Sequence, residues 1–90
     1  ALRLAGANPF RADGGAVFEY DVPRDGSPVT IAVFDMTGRR VAELLSGTSS
    51  AGRHQMTWGG SHVRQLHSGV YLVLLRAPGF EARQRVVLLR

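Results

Sequence analysis

The sequence contains no cysteine and no lysine. The missing cysteine excludes a disulfide framework, a thiolate zinc site and a thiol nucleophile. It assigns no compartment, because a domain of 90 residues can close one core without a covalent staple. Aromatic side chains make up only 8% of the chain, too few for the interleaved basic and aromatic residues of a single-strand nucleic-acid binder. The longest apolar run, Val70 to Leu75, is far too short to span a membrane, so no transmembrane segment is expected. No stretch has the basic, apolar and small-residue layout of a secretory signal peptide. No long window carries a 3.6-residue apolar period either, which argues against a helical architecture.

What is present describes one globular unit. Hydrophobic residues make up 44% and charged residues 20%, a globular rather than a disordered balance. All 11 basic residues are arginine, the formal net charge is +4, and the sequence pI is about 11.1. The arginines are scattered from Arg3 to Arg90, with only Arg39 and Arg40 adjacent. Such scatter fits a codon bias in the source better than a phosphate-binding stripe, and no nucleic-acid partner is expected.

The chain reads as strands separated by turns. Residues 16–22 alternate, with Ala16, Phe18, Tyr20 and Val22 on one face and Glu19 and Asp21 on the other. Residues 29–34 form the next strand, with Val29, Ile31 and Val33 sharing a face. Asp35-Met36-Thr37-Gly38 fits a type I turn closing on a left-handed glycine, and residues 39–45 return as the hairpin partner. Residues 46–52, small and polar, read as a loop. His54, Met56 and Trp58 share one side of a strand over 53–58, and Gly59-Gly60 ends it. Residues 61–69 read as irregular, with a helical turn near Val63 to Leu66. Residues 70–76 and 80–89 are the last two strands, joined at Pro78-Gly79. Turn signals this closely spaced predict an all-β, antiparallel sandwich, with a small closed barrel as the alternative.

Chemical machinery is hard to find. His54, His62 and His67 lack the close carboxylates or repeated spacing of a metal or catalytic site. No glycine loop precedes a helix to cradle phosphate. No enzyme activity, cofactor or metal is expected. Gly38 and Gly69 read as backbone positions where a side chain is unwelcome. Asn8-Pro9 reads as an extended lead into the first strand. Trp58 and Tyr71 read as core fillers whose polar atoms need partners. One feature exceeds the needs of a sandwich: residues 70–75 are apolar on both faces and residues 86–89 repeat the pattern, although a two-sheet core buries only one face. Either loops cover the outer face, or it docks on a neighbour.

Five motifs in series carry a family resemblance: Asn8-Pro9-Phe10; residues 33–41 around Asp35, Gly38 and Arg39; residues 51–58 ending on Trp58; Ser68-Gly69-Val70-Tyr71; and the closing Arg85-Val86-Val87-Leu88-Leu89-Arg90. Together they resemble the C-terminal sorting domain of the type IX (Por) secretion system. They are also similar to the immunoglobulin-like domain of the flagellar hook-capping protein. Trp58-Gly59-Gly60 departs from the family's frequent Trp-Asp-Gly.

The resemblance implies an immunoglobulin-like sandwich of about seven strands, with residues 1–90 a single C-terminal domain of a larger secreted protein. It implies passage through the periplasm to the cell surface or medium. The partners it implies are an upstream cargo domain, the outer-membrane translocon of the type IX system and a sortase-like protease. Recognition would fall on Gly69, Val70, Tyr71 and Arg85 to Arg90. Asn8, Pro9, Phe10, Asp35, Gly38, Arg39 and Trp58 would maintain the fold. Two alternatives stay open: a carbohydrate-binding accessory module using Trp58, Tyr71 or Phe80 as a glycan platform, and a passive structural or assembly domain.

Overall fold

The computed structural model describes residues 2–6 and 8–90, with residues 61 and 62 by their backbone alone. The described residues form eight strands and one helical turn. In chain order these are β1 (Leu2–Leu4), β2 (Phe10–Arg11), β3 (Ala16–Val22), β4 (Ser27–Phe34), β5 (Arg40–Ser49), β6 (Gly52–Trp58), α1 (Ser61–Arg64), β7 (Gly69–Ala77) and β8 (Phe80–Leu89). A three-stranded sheet, β1-β3-β6, faces a five-stranded sheet, β2-β8-β7-β4-β5. All pairings are antiparallel except β2 with β8, which runs parallel.

Period-two patterning places the core where the sequence predicts it. Ala16, Phe18, Tyr20 and Val22 point inward from β3, and Val29, Ile31 and Val33 from β4. Tyr71, Val73 and Leu75 of β7 and Val86 and Leu88 of β8 meet them across the sandwich. Such interdigitated inner faces are what hold two sheets together. No charged or polar side chain is buried among the described residues. Trp58 lies between Phe10 and Tyr71, with ring centroids 5.6 Å from each. The Tyr71 hydroxyl donates to the His67 carbonyl at 2.8 Å, as a buried phenol requires. The Trp58 indole N–H finds no partner among the described residues, against expectation.

One sequence reading needs correction. Residues 46–52 are not a loop: β5 continues to Ser49 and β6 begins at Gly52. The polar residues Ser46, Thr48 and Ser49 pair with Thr30, Pro28 and Ser27. An edge strand can carry small polar side chains because its backbone hydrogen bonds, not its burial, hold it in place. Gly69, expected as a position where a side chain is unwelcome, takes a φ of 158° at the entry to β7, a conformation side-chain-bearing residues rarely adopt, although a Cβ there would meet nothing within 4 Å. The eight strands agree with the expected sandwich of about seven; the short β1 and β2 are too brief to leave a period in the sequence. The helical turn falls at Ser61–Arg64 and is anchored by the fully buried Val63. The His62 side chain lies outside the described residues.

Candidate functional site

The strand over residues 80–89 is the key to the site, because it is not a free end. β8 lies between β2 and β7, and its register against β7 runs from Phe80 opposite Ala77 to Leu88 opposite Gly69. Val86 and Leu88 have 0% exposure. Beside them the Asn8 side chain works as a short strand extension. Its Oδ1 accepts from the Val87 N–H at 2.9 Å and its amide reaches the Arg85 carbonyl at 3.5 Å. The Asn8–Pro9 peptide is cis, and two residues on Phe10 enters the core. Asn8-Pro9-Phe10 therefore ties the first segment to the last strand.

Alternation divides the predicted recognition residues into two sets. Tyr71, Val86 and Leu88 point into the core. Val70, Arg85, Val87 and Leu89 lie on the outer face of the five-stranded sheet, with Leu89 42% exposed. Gly69 opens β7 and Arg90 follows β8. Sequence reasoning grouped these residues by position in the chain; strand period separates them by role.

The outer face is built in cross-strand rows. Arg40, Phe34, Leu72 and Arg85 form one row across β5, β4, β7 and β8, and Glu43, Ala32, Leu74 and Arg83 the next. Val70 and Val87 sit opposite each other. Each row has apolar residues at its centre and charged residues at its ends. Phe34, Val70, Leu72, Leu74 and Val87 remain partly exposed and are not packed against the core cluster. A groove of about 420 Å³ runs over part of this face, lined by Phe34, Leu72 and Leu74 together with the turn residues Asp35, Met36 and Gly38 and the β7–β8 arginines Arg76, Arg83 and Arg85. Met36, 66% exposed, stands at its lip. The sequence signal for this face was the two-faced apolar run over 70–75; Phe34 and Met36 gave none.

One wall of the groove is a preformed turn. Asp35 Oδ1 accepts from the Thr37 N–H at 2.9 Å, the Thr37 hydroxyl at 2.6 Å and the Arg39 N–H at 3.1 Å. The Gly38 N–H donates to the Asp35 carbonyl at 3.0 Å, and Gly38 takes a φ of 90°, which glycine adopts without a Cβ penalty. The bonds from Thr37 and Arg39 hold the Asp35 carboxyl below its ordinary pKa. Glu81, paired with the groove-lining Arg83 and Arg76, is held below its ordinary pKa by Arg83 and then Arg76. Its contacts to them are 2.7 and 2.9 Å. Arg85 makes no ion pair among the described residues. The surface is therefore apolar in the middle and cationic on the β8 side.

Other candidates fall elsewhere. Trp58 and Tyr71 are buried and present no exposed platform for a glycan, whereas Phe80 is partly buried against the core. His54 stacks on Tyr20 with centroids 5.3 Å apart, and its Nε2 lies 2.8 Å from the Ser50 carbonyl. Among the described residues no three acidic or histidine side chains gather as a metal site would require, and no helix is long and apolar enough to cross a membrane.

Comparison with known proteins gives a family and a fold. No curated protein matches the chain in sequence. Among solved structures, the chain is similar to part of PorZ, an essential bacterial surface component of the type IX secretion system of Porphyromonas gingivalis. The two share 21% identity at a TM-score of 0.64, over 99% of this chain and 11% of that one. A more distant likeness is to the Pseudomonas fluorescens alkylpurine DNA glycosylase AlkC bound to DNA containing an abasic site analogue. Here identity is 15% and the TM-score 0.49, over 99% of this chain and 30% of that one. The chain thus spans a small part of either protein. The model of the FlgD Ig-like domain matches residues 7–77, which take in β2 to β7 and the Asp35–Gly38 turn, and the chain belongs to that family.

Proposed function

We propose that this chain is a non-catalytic C-terminal sorting domain, which directs an exported cargo through the outer-membrane translocon of a type IX secretion system. The observation that carries this reading is the outer face of the five-stranded sheet. An immunoglobulin-like sandwich needs no apolar residues there, yet Phe34, Leu72 and Leu74 form a groove floor flanked by Arg83 and Arg85. A contiguous apolar patch with a charged rim is the usual form of a protein docking surface. Family membership supports a structural or assembly role, and the likeness to part of a type IX surface component supports that system as its setting.

In this reading the domain folds in the periplasm and presents the groove to the translocon, with the cargo joined upstream. A sortase-like protease then separates the two at the cell surface. β8 contributes by holding Arg85 and Val87 in place, not as a linear tag, since the intervening Val86 and Leu88 are in the core.

Fusing residues 1–90 to a fluorescent reporter with an export signal tests the reading. Surface reporter in a type IX-competent strain, and periplasmic reporter in its translocon-deficient mutant, is the expected result. A folded fusion that stays periplasmic in both strains would overturn sorting. Homotypic or scaffold crosslinks through the groove would then support an assembly domain, the role that the hook-capping resemblance implies.

A further inference from the structure

Six of the 11 arginines have an acidic partner within ion-pair distance: Arg3, Arg39, Arg40, Arg53, Arg76 and Arg83. Among the described residues Arg11, Arg64 and Arg90 have none, although they come from three separate elements and line one depression of about 350 Å³ with Ala12 and Asp13. This depression is separate from the outer-face groove and shares no residue with it.

The backbone holds the three arginines in position. The Ala12 N–H donates to the Leu89 carbonyl at 3.0 Å, which joins the segments bearing Arg11 and Arg90. The Arg90 N–H donates to Ser68 Oγ at 3.0 Å. The Arg11 carbonyl accepts from the N–H groups of Gly14 and Gly15, each at 3.0 Å, closing the turn that carries Asp13. The Arg64 N–H donates to the Gly60 carbonyl at 3.3 Å, and the neighbouring Val63 is fully buried.

Three guanidinium groups and one carboxylate leave two uncompensated positive side-chain charges around the depression. Asp13 makes no ion pair with any of them. Like charges gathered on fixed backbone repel one another, and an anion relieves that repulsion. Guanidinium forks match the tetrahedral oxygens of phosphate, which accept more hydrogen bonds than the two oxygens of a carboxylate. We propose that the depression formed by Arg11, Arg64 and Arg90 binds a phosphate dianion, carried on a monoester or a pyrophosphate. The ligand is either a soluble phosphoryl compound or a phosphomonoester lipid headgroup.

The test uses the full 90-residue chain. Inorganic phosphate and pyrophosphate are titrated at constant ionic strength against chloride, and the side-chain Nε–H and backbone amide resonances are followed. Saturable shifts centred on Arg11, Arg64 and Arg90 are expected. The double variant Arg11→Gln/Arg64→Gln should weaken binding about tenfold or more, the loss expected when charge-assisted contacts are removed. Arg24→Gln, a control at an exposed position outside the depression, should bind as the parent does. Retention on phosphatidylcholine vesicles containing phosphatidic acid, lost in the double variant, would assign the lipid source. Saturable phosphate binding without vesicle retention would assign the soluble one. Non-saturating shifts, equal shifts in chloride, or unchanged binding by the folded double variant would overturn the proposal.

Discussion

Val86→Ala removes two methyl-sized groups from a side chain with no exposed surface. At about 0.8 kcal/mol per buried carbon the transfer loss is about 1.6 kcal/mol, and the cavity left behind brings the total to about 2–3 kcal/mol. In a domain this small that lowers Tm by roughly 10–20 °C. The neighbouring Val87 faces outward and is only partly buried, so Val87→Ser should cost about 1 kcal/mol or less. Thermal unfolding followed by circular dichroism, run beside the surface-delivery assay, separates folding from recognition. Val86→Ala should deliver in proportion to its folded fraction. Val87→Ser combined with Arg85→Glu should stay folded and lose delivery. Deleting residues 86–90 tests neither point. It removes Val86 and Leu88, whose burial together contributes about 3–6 kcal/mol, from a total stability of roughly 5–13 kcal/mol. If the folded Arg85→Glu/Val87→Ser variant is delivered like the parent, β8 plays no part in recognition and the outer-face reasoning fails on that side of the groove.

Other substitutions probe the framework. Asn8→Ala leaves the Val87 N–H without its side-chain acceptor; a loss of about 1 kcal/mol is expected, with faster hydrogen exchange at the Val87 amide. Gly15→Ala should cost about 1–3 kcal/mol, because φ is +72° and the new Cβ would stand 3.0 Å from the Trp58 carbonyl oxygen. Gly26→Ala, at φ +73° with open space around it, should cost less, and denaturant midpoints of the two variants give the comparison. Stability should also fall at both pH extremes. Glu19, Asp35 and Glu81 are held below their ordinary values of 4.5, 3.8 and 4.5 by their hydrogen-bonded partners. Their contribution is complete above those values and is lost as pH drops through the lower folded ones. Burial raises Tyr20 and Tyr71 above 10.0, so their contribution is complete below that pH and is lost as pH rises through the folded values. A Tm profile across pH reads both limbs; a flat acid limb would remove the three carboxylates from the account.

The parts of this fold legible in the sequence were those with a clean period. Phe18, Tyr20 and Val22, or Val29, Ile31 and Val33, alternate with polar neighbours because each strand has one wet face. The Asp35–Gly38 turn was legible because its side-chain acceptor and left-handed glycine sit at fixed offsets. Residues 46–49 were misread because an edge strand needs no apolar signature. The groove was half legible: the outward Leu72 and Leu74 broke the alternation, but Phe34 and Met36 join them only through β4–β7 pairing and the shape of the turn. Arg11, Arg64 and Arg90 were least legible. Nothing local links them; they meet through the parallel β2–β8 pair and the packing of α1, both contacts between distant parts of the chain.

These observations bear on how a closing strand can act as a signal. A linear tag must offer consecutive side chains to its reader. In β8 alternate residues are committed to the core, and the Val87 N–H is already bonded to Asn8. Reading the strand as a peptide would require extracting Val86 and Leu88, at a cost of about 3–6 kcal/mol, a large share of the stability of the whole domain. Recognition of the folded state avoids that cost and adds residues a peptide could not offer, because Phe34, Met36 and Leu72 reach the same groove from β4, the turn and β7. Arg85 and Val87 then act as one border of a surface whose floor is set by the rest of the sandwich. In the proposed sorting role, delivery therefore depends on the fraction of chains that have completed folding, since the groove and the core close together.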